Sequence, residues 1–392
     1  MKFLHTSDWH IGRTLNGFDL IEEQKYAVNQ ILALAQDEQV DGIIIAGDLY
    51  DRAIPSTTAV TTFNQMLKKI NIESKIPIYM IAGNHDGARR LNFGREWLGF
   101  NDIYLNTLLD EAFQPIETDE VQLFLLPFFD PADARIYFSN LGMNDERVKA
   151  IKTISDAMVL VLEELKKQFD PTKQQILVTH FAISAHQELP VELTSETASR
   201  VGGLATMSSQ LFEGFDYVAL GHIHTNLASP SEKVQYSGSP VKFNTKEANS
   251  NKGVYIIELE DGHVSSKFVS LKQQRDLVVL KETWDVLINP DFYNALPLHT
   301  AWFAITIKKF ERLVHRGENL RAQLQKIYGT IVELDFEDLA REKQMKSMAN
   351  IENLSEELII ERFYERVTGK HMSTGQEAIV EETLIQLKGE KN

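Results

Sequence analysis

Residues 1–12 read MKFLHTSDWHIG, and this stretch decides how the rest of the chain is understood. Phe3 and Leu4 open an apolar strand that runs out into His5, Asp8 and His10, with Trp9 wedged between the last two. Titratable side chains at that density on a strand end point to something bound there. Residues two apart on an extended chain share a face, so Asp8 and His10 are expected to reach one ion while Trp9 turns into packing. The start has one lysine and then polar residues, not the shape of a signal peptide. A functional motif this close to the start would not survive processing, so the mature chain is expected to begin near Met1 and to work in the cytoplasm.

Outward from that stretch, the plan of apolar strand followed by polar turn recurs in GIIIAGD (42–48), IPIYMIAGNHD (76–86), QILVTHF (175–181) and DYVALGHIH (216–224). VQLFLLPF (121–128) reads as a further strand, and 252–271 as a β-hairpin turning at Asp261-Gly262. Between strands, Ile21, Val28, Ile31, Leu32 and Ala35 recur at helical spacing over Leu20 to Gln36. Ser56 caps a helix running towards Ile70, and 145–169 reads as one long helix. Alternating elements of this kind give a layered α/β domain, expected over residues 1–274. In such sheets ligands bind outside the carboxyl ends of the strands, so clusters more than 200 residues apart can meet at one rim.

Residues 275–337 read as a small α+β unit, with strands 276–283, 300–310 and 330–336 and a helix from Glu318 to Tyr328. Residues 338–392 form a charged, Met-rich linker and two short amphipathic helices. The first is capped by Ser355 and carries Ile359, Phe363 and Val367 on one face. The second opens on a Ser373–Gln376 capping box, followed by Val380, Leu384 and Leu387. Two such helices bury no core alone, so they pack either on the body or on another chain.

Composition narrows the function. With 43% hydrophobic and 24% charged residues the chain is an ordinary globular protein, and no apolar run approaches the roughly 20 residues that span a bilayer. The absence of cysteine removes disulfides and thiolate metal sites and fits a reducing compartment. A formal charge of −16 weighs against a stand-alone DNA binder. A polyanionic substrate would need bound cations, a basic patch or a partner chain.

The five polar clusters are Asp8 and His10; Asp48 and Asp51; Asn84, His85 and Asp86; His180; and His222 and His224. Asp, Asn and His without Cys suit Mn²⁺, Fe²⁺, Mg²⁺ or Zn²⁺. Seven ligands sharing one carboxylate fill two sites, and a bridged pair of ions about 3.5–4 Å apart is the layout of two-metal phosphoester hydrolysis. Gly47 and Gly83 precede ligands and are expected to permit the tight turns that aim Asp48 and Asn84. Each fragment alone is weak; a lone D-x-H or GD is commonplace. All five in order at strand ends are not.

The ordered set D-x-H, GD, GNHD, H, GHxH resembles the calcineurin-like metallophosphoesterase superfamily. The opening LHTSDWHIGRTL, the form GDLYDR and the C-terminal layout resemble its SbcD family of bacterial nuclease subunits over essentially the whole chain. The resemblance implies a four-layer α-β-β-α core with a small α+β capping domain and a C-terminal helix pair. It implies that Asp8, His10, Asp48 and His224 hold one ion and Asp48, Asn84, His180 and His222 the other, with Mn²⁺ the usual metal. His85 corresponds to a non-ligand histidine beside the phosphate. Some relatives carry a second histidine where this chain has Asp51, which either orients a ligand or is a turn residue pairing with Arg52. His5 is either a supporting residue or a plain strand residue.

Further implications follow for substrate and partners. The two ions would offset the charge of a DNA backbone. Arg13, Arg52, Arg89, Arg90 and Arg95 near the ligand loops, and Lys308, Lys309, Arg312, Arg316 and Arg321 in the second unit, are either backbone contacts or solvated surface charges. The helix pair would dock on an SbcC-type ABC ATPase, since this chain has no phosphate-binding G-x-x-x-x-G-K-[ST] loop of its own. A homodimer within a heterotetramer at the nucleoid is implied as well. The expected activity is a Mn²⁺-dependent single-strand endonuclease and, with the ATPase, a double-strand exonuclease processing ends and hairpins in repair, replication and recombination. The alternative is a small-molecule phosphodiesterase or phosphomonoesterase of the same superfamily.

Overall fold

Phe3 and Leu4 are adjacent in sequence yet enter different hydrophobic layers. That alternation organises the molecule. The computed structural model describes residues 1–185, 206–260, 262–310, 319–338, 358–361, 363–364 and 371–389. In the first sheet, β1 (Lys2–Thr6), β2 (Gly42–Ile45), β3 (Ile78–Ile81) and β4 (Ile103–Asn106) run parallel in that order. In the second, β5 (Val121–Leu126), β6 (Gln174–His180), β7 (Tyr217–Gly221) and β8 (Val234–Tyr236) do the same. The hairpin β9 (Gly253–Glu260) and β10 (His263–Ser270) returns to the first sheet and pairs antiparallel with β1 through β9. Glu260 pairs with His263 across a two-residue turn in which Gly262 has φ +76°; Asp261 lies outside the described residues.

Strand residues alternate between faces, so each sheet has two sides to cover. Phe3, Ile44 and Ile81 of the first sheet meet Leu123, Leu125, Ile176, Val178 and Ala219 of the second in one buried cluster. The intervening residues point outward. Leu4, Ile43, Ile45 and Met80 pack with Val28 and Ile31 of α1 (Ile21–Asp37) and Phe63 and Met66 of α2 (Thr57–Leu67). Phe124, Leu177, Val218 and Leu220 pack on the opposite side of the second sheet. The result is helix, sheet, sheet, helix, as the family resemblance implied. Each large side chain buried this way contributes roughly 1.5–3 kcal/mol.

The stretch 145–169 is not one helix. It forms α3 (Asp145–Ala150) and α4 (Ile154–Lys166). The break is chemical: Thr153 is extended at φ −113°, and its side chain accepts from the Asp156 amide while Asp156 reaches back to the Thr153 amide. This reciprocal cap starts a new helix. Met158, Val161, Leu162 and Leu165 then face the core. By contrast Ser56 caps α2 as its position predicts, accepting from Ala59 N at 3.1 Å.

Two compact units are present, Met1–Val279 with Thr300–Phe303, and Leu280–His299 with Ala304–Asn392. The latter holds most of a sheet of order β11 (Leu277–Thr283), β12 (Trp302–Phe310), β13 (Thr330–Asp338). It carries α5 (Leu320–Tyr328), whose Leu320, Leu324 and Tyr328 are buried. In the tail, α6 (Thr374–Gly389) follows Ser373, whose amide donates to Gln376 Oε1 at 3.0 Å, the glutamine half of a capping box. Ser355, Val367 and the Leu387 side chain lie outside the described residues.

Thr153→Ala should lower the stability of the chain by about 1 kcal/mol in urea unfolding, the usual value of an N-cap. In one continuous helix the same change would instead stabilise, because alanine is the better helix former.

Candidate metal centre

Five parallel strands, β1, β2, β3, β6 and β7, deliver the polar clusters to one rim. The chain does not stay extended there. Asp8 and His10 have φ of +53° and +43°, so they converge through a turn and not through the strand alternation expected from the spacing. Backbone hydrogen bonds set this turn: Asp8 N to Gly47 O, His10 N to Asp48 O and Ile11 N to Leu49 O, at 2.9–3.0 Å. Asp48 and His222 also have positive φ, +51° and +94°. Left-handed backbone at non-glycine residues costs on the order of 1–3 kcal/mol each and persists only where surroundings enforce it. Trp9 is one enforcer: fully buried, edge-on to Phe63, its indole N–H bonded to Thr6 Oγ1 at 3.0 Å. Gly47 has φ +86°, as a tight turn requires. Gly83 acts differently, since a Cβ at that position would collide with the Asp48 carboxylate.

Around Asp48 the donors converge. Its Oδ2 lies 3.4 Å from His10 Nε2 and 3.2 Å from His180 Nε2. Asp8 Oδ1 lies 3.8 Å from His224 Nε2 and 4.0 Å from His180 Nε2. The Nε2 atoms of His10 and His224 face each other at 3.1 Å. On the other flank, Asn84 Oδ1 is 3.1 Å from His180 Nε2 and 3.0 Å from His222 Nδ1. Asp8, His10 and His224 thus form one group with ligand atoms within 4.8 Å of one another, and Asp8, Asp48 and His180 another. Asp8 belongs to both groups, and Asp48 Oδ2 reaches the first through its 3.4 Å contact with His10 Nε2. Asp8, His10, Asp48 and His180 are fully buried, whereas Asn84, His85 and His222 are half-buried and open the site to solvent.

The electrostatics show what these residues want. Burial pushes the Asp8 carboxyl above its usual range. It would raise Asp48 too, but the adjacent His180 and His10 hold that carboxyl well below. Burial drives His10 well down, against the pull of Asp48. At His180 burial is outweighed by Asp48 and Asp8, which lift the imidazole to about 9. Asp48 Oδ2 is buried and faces the imidazole nitrogens of His10 and His180. A buried carboxylate oxygen ringed by imidazole nitrogens fits a cation, and N/O donors alone fit a divalent first-row metal or Mg²⁺.

The neighbouring residues divide into those that serve the centre and those that do not. His85 donates its amide to Asp48 Oδ1 at 2.9 Å, and its Nδ1 meets Asp51 O at 2.9 Å. The Asp51 carboxylate lies 3.9 Å from His10 Nδ1 and 3.5 Å from both Arg13 and Arg52. Asp86, unassigned from sequence beyond its place in GNHD, accepts the amides of Gly83, Leu49 and Tyr50 at 2.9–3.0 Å and so ties the β3 loop to the β2 loop. Ser7 donates to Asp8 Oδ2 at 2.5 Å. Arg95 is held by Leu105 O and Asn106 Oδ1, and Arg321 by Ile331 O, so both guanidinium groups serve the fold. Arg89 and Arg90 are exposed, and Lys308 lies 3.7 Å from Glu282; Arg312 and Arg316 lie outside the described residues. His5 is a strand residue between the sheets, its Nδ1 3.1 Å from Tyr217 Oη and its Nε2 3.2 Å from Leu220 O.

Comparison with known proteins agrees with this geometry. A family model described as calcineurin-like phosphoesterase matches residues 1–226. The chain belongs to the calcineurin-like phosphoesterase family. A second model, described as type 5 capsule protein repressor C-terminal domain, matches residues 273–368. The chain is similar to a protein from Staphylococcus epidermidis named as the D component of nuclease SbcCD, 33% identical over 96% of both chains. It is also similar to the protein of that name from Staphylococcus saprophyticus, 30% identical over 99% of this chain and 98% of the other. A phosphoesterase of this family is a metal-dependent hydrolase, and the clustered Asp and His residues are the groups that could hold its divalent metal. Among the described residues no helix is long and apolar enough to cross a membrane.

Burial lowers His5 to about 3, with the Leu220 carbonyl opposing. The folded chain therefore keeps His5 neutral where the unfolded chain takes up a proton, so its contribution is full above pH 6.5 and falls as the pH drops towards 3. The stability difference between the wild type and His5→Gln, from urea melts, should shrink by about 1.4 kcal/mol per pH unit across that window.

Proposed function

We propose that this chain is the nuclease component of an SbcCD-type complex, hydrolysing DNA phosphodiester bonds with two Mn²⁺ ions. The observation that carries this is the Asp48 carboxylate, fully buried with its Oδ2 3.4 Å from His10 Nε2 and 3.2 Å from His180 Nε2. Asp8, His10, Asp48 and His224 would hold one ion, and Asp48, Asn84, His180 and His222 the other. Bound there, the ions would supply positive charge to the scissile phosphate and acidify a water. The half-buried rim of Asn84, His85 and His222 leaves room for a phosphate to approach. His85 handles the proton. A carbonyl can only accept, so the contact with Asp51 O makes Nδ1 the donor, and proton exchange with the substrate falls to Nε2.

The DNA-end activities follow from partners. Both staphylococcal relatives are named as part of the nuclease SbcCD. Residues 338–392 are the segment proposed to dock on an SbcC-type ATPase, with ATP-dependent double-strand exonuclease activity arising in the complex. Phe363 and Ile379 are 67% and 65% exposed, as a docking helix pair requires. Residues 275–337 form the proposed capping domain that selects DNA geometry. Phe93, Trp97 and Phe100 are exposed within eight residues of one another, and a second copy of the chain is the proposed cover, giving a homodimer within a heterotetramer. The complex would work in the cytoplasm at the nucleoid.

His85→Ala should lower Mn²⁺-dependent cleavage of single-stranded DNA by about 10²–10⁴-fold while calorimetry still counts two Mn²⁺ ions. Near-normal cleavage would remove His85 from the chemistry. Cleavage of a small chromogenic diester without cleavage of DNA by the wild type would mark a small-molecule esterase instead. A chain ending at Glu337 should retain single-strand cleavage and fail to co-purify with the ATPase; co-purification would place the docking site elsewhere.

A further inference from the structure

Behind His224, on the side away from the ligand cluster, sits a buried ion pair that belongs to none of the five motifs. Glu247 and Lys252 are each 3% exposed, with Lys252 Nζ 2.6 Å from Glu247 Oε2. Lys252 also donates to the His224 carbonyl at 2.8 Å and to Ser239 Oγ at 2.9 Å. It immediately precedes β9, whose pairing with β1 anchors it to the first sheet. Glu247 is gripped from its own loop as well, by the amide of Phe243 at 3.2 Å and the Asn244 side chain at 2.8 Å. Its Oε1 lies 3.5 Å from His224 Nδ1. The opposite ring nitrogen, Nε2, is the one that faces His10 and Asp8. Phe243, on the same loop, closes the arrangement by packing edge-on against both His10 and His224.

A buried ion pair is weak evidence for stability, because well-packed apolar residues often serve as well. Its placement here has another use. Histidines that bind metals commonly present one nitrogen to the ion and give the other N–H to a carboxylate, which fixes tautomer and ring orientation. We propose that Glu247, clamped by Lys252, is the positioning residue for His224: it takes the Nδ1–H and thereby turns the Nε2 lone pair towards a divalent cation. This rests on the two-ion function proposed above.

The test uses the full-length protein, stripped with chelator and titrated with Mn²⁺ by calorimetry. The wild type should bind two ions. Glu247→Gln, which keeps the volume and removes the charge, should weaken one of the two sites roughly 10- to 100-fold and spare the other. Glu247→Asp should restore part of that affinity. In a His224→Ala background, Glu247→Gln should add no further loss, an outcome that a merely structural role would not produce. If Glu247→Gln does not fold, the double variant Glu247→Gln/Lys252→Met removes both charges together and carries the same measurement. Two unchanged sites in a folded Glu247 variant would overturn the proposal and leave the nuclease function standing. A wild type that takes up no Mn²⁺ would instead overturn the two-ion function itself.

Discussion

The whole centre depends on one buried carboxylate. Asp48 hangs from the first sheet, and His180, which it meets at 3.2 Å, hangs from the second. The two sheets are thus joined at their rim by charge as well as by the apolar layer beneath. Asp8 repeats the link, accepting the amide of His222 at 3.0 Å across the same divide. Sheet packing places these groups to within ångströms, and rigid elements hold a functional site better than mobile loops. The four-layer architecture is therefore part of the site: without the second sheet, the first would present carboxylates without the imidazoles of His180, His222 and His224 to complete them.

Strain marks the same residues. Asp8, His10, Asp48 and His222 adopt backbone conformations that their side chains disfavour. Hydrogen bonds between loops tie them down, such as His10 N to Asp48 O and His222 N to Asp8 Oδ1. Asp86 shows how such a loop is set, because one carboxylate collects three amides from two loops. Backbone strain of this kind is kept where a structure must aim side chains that regular strands would point elsewhere.

Much of this was legible in the sequence, and the failures are instructive. Strand identity survived because apolar runs such as GIII and YVAL leave no doubt about burial. The polar clusters meet at one rim as expected, because polar residues at strand ends are conspicuous. What failed was conformation. The D-x-H spacing suggested an extended pair, whereas hydrogen bonding to the neighbouring loop imposes a left-handed turn that spacing does not encode. The long helix failed because Thr153 and Asp156 look like ordinary helix residues until their side chains are seen to cap. Glu247 and Lys252 were invisible for a different reason. They stand in TKEANSNKG, a polar stretch that reads as solvent-exposed loop, and only the tertiary fold buries them.

Charge compensation connects these observations. Two carboxylates with no access to water cannot both stay ionised without positive charge nearby. Asp48 and Asp8 lift the His180 imidazole to about 9, so positive charge is favoured between them. A divalent ion would meet that need better, and because ligands bind metal in their deprotonated form, its uptake would compete with hydrogen ions. The chain as a whole carries a formal charge of −16. An acidic protein that acts on a polyanion has to concentrate positive charge where the phosphate sits. On the two-ion function proposed above, that positive charge would arrive with the metal, between the carboxylates the fold has gone furthest to bury.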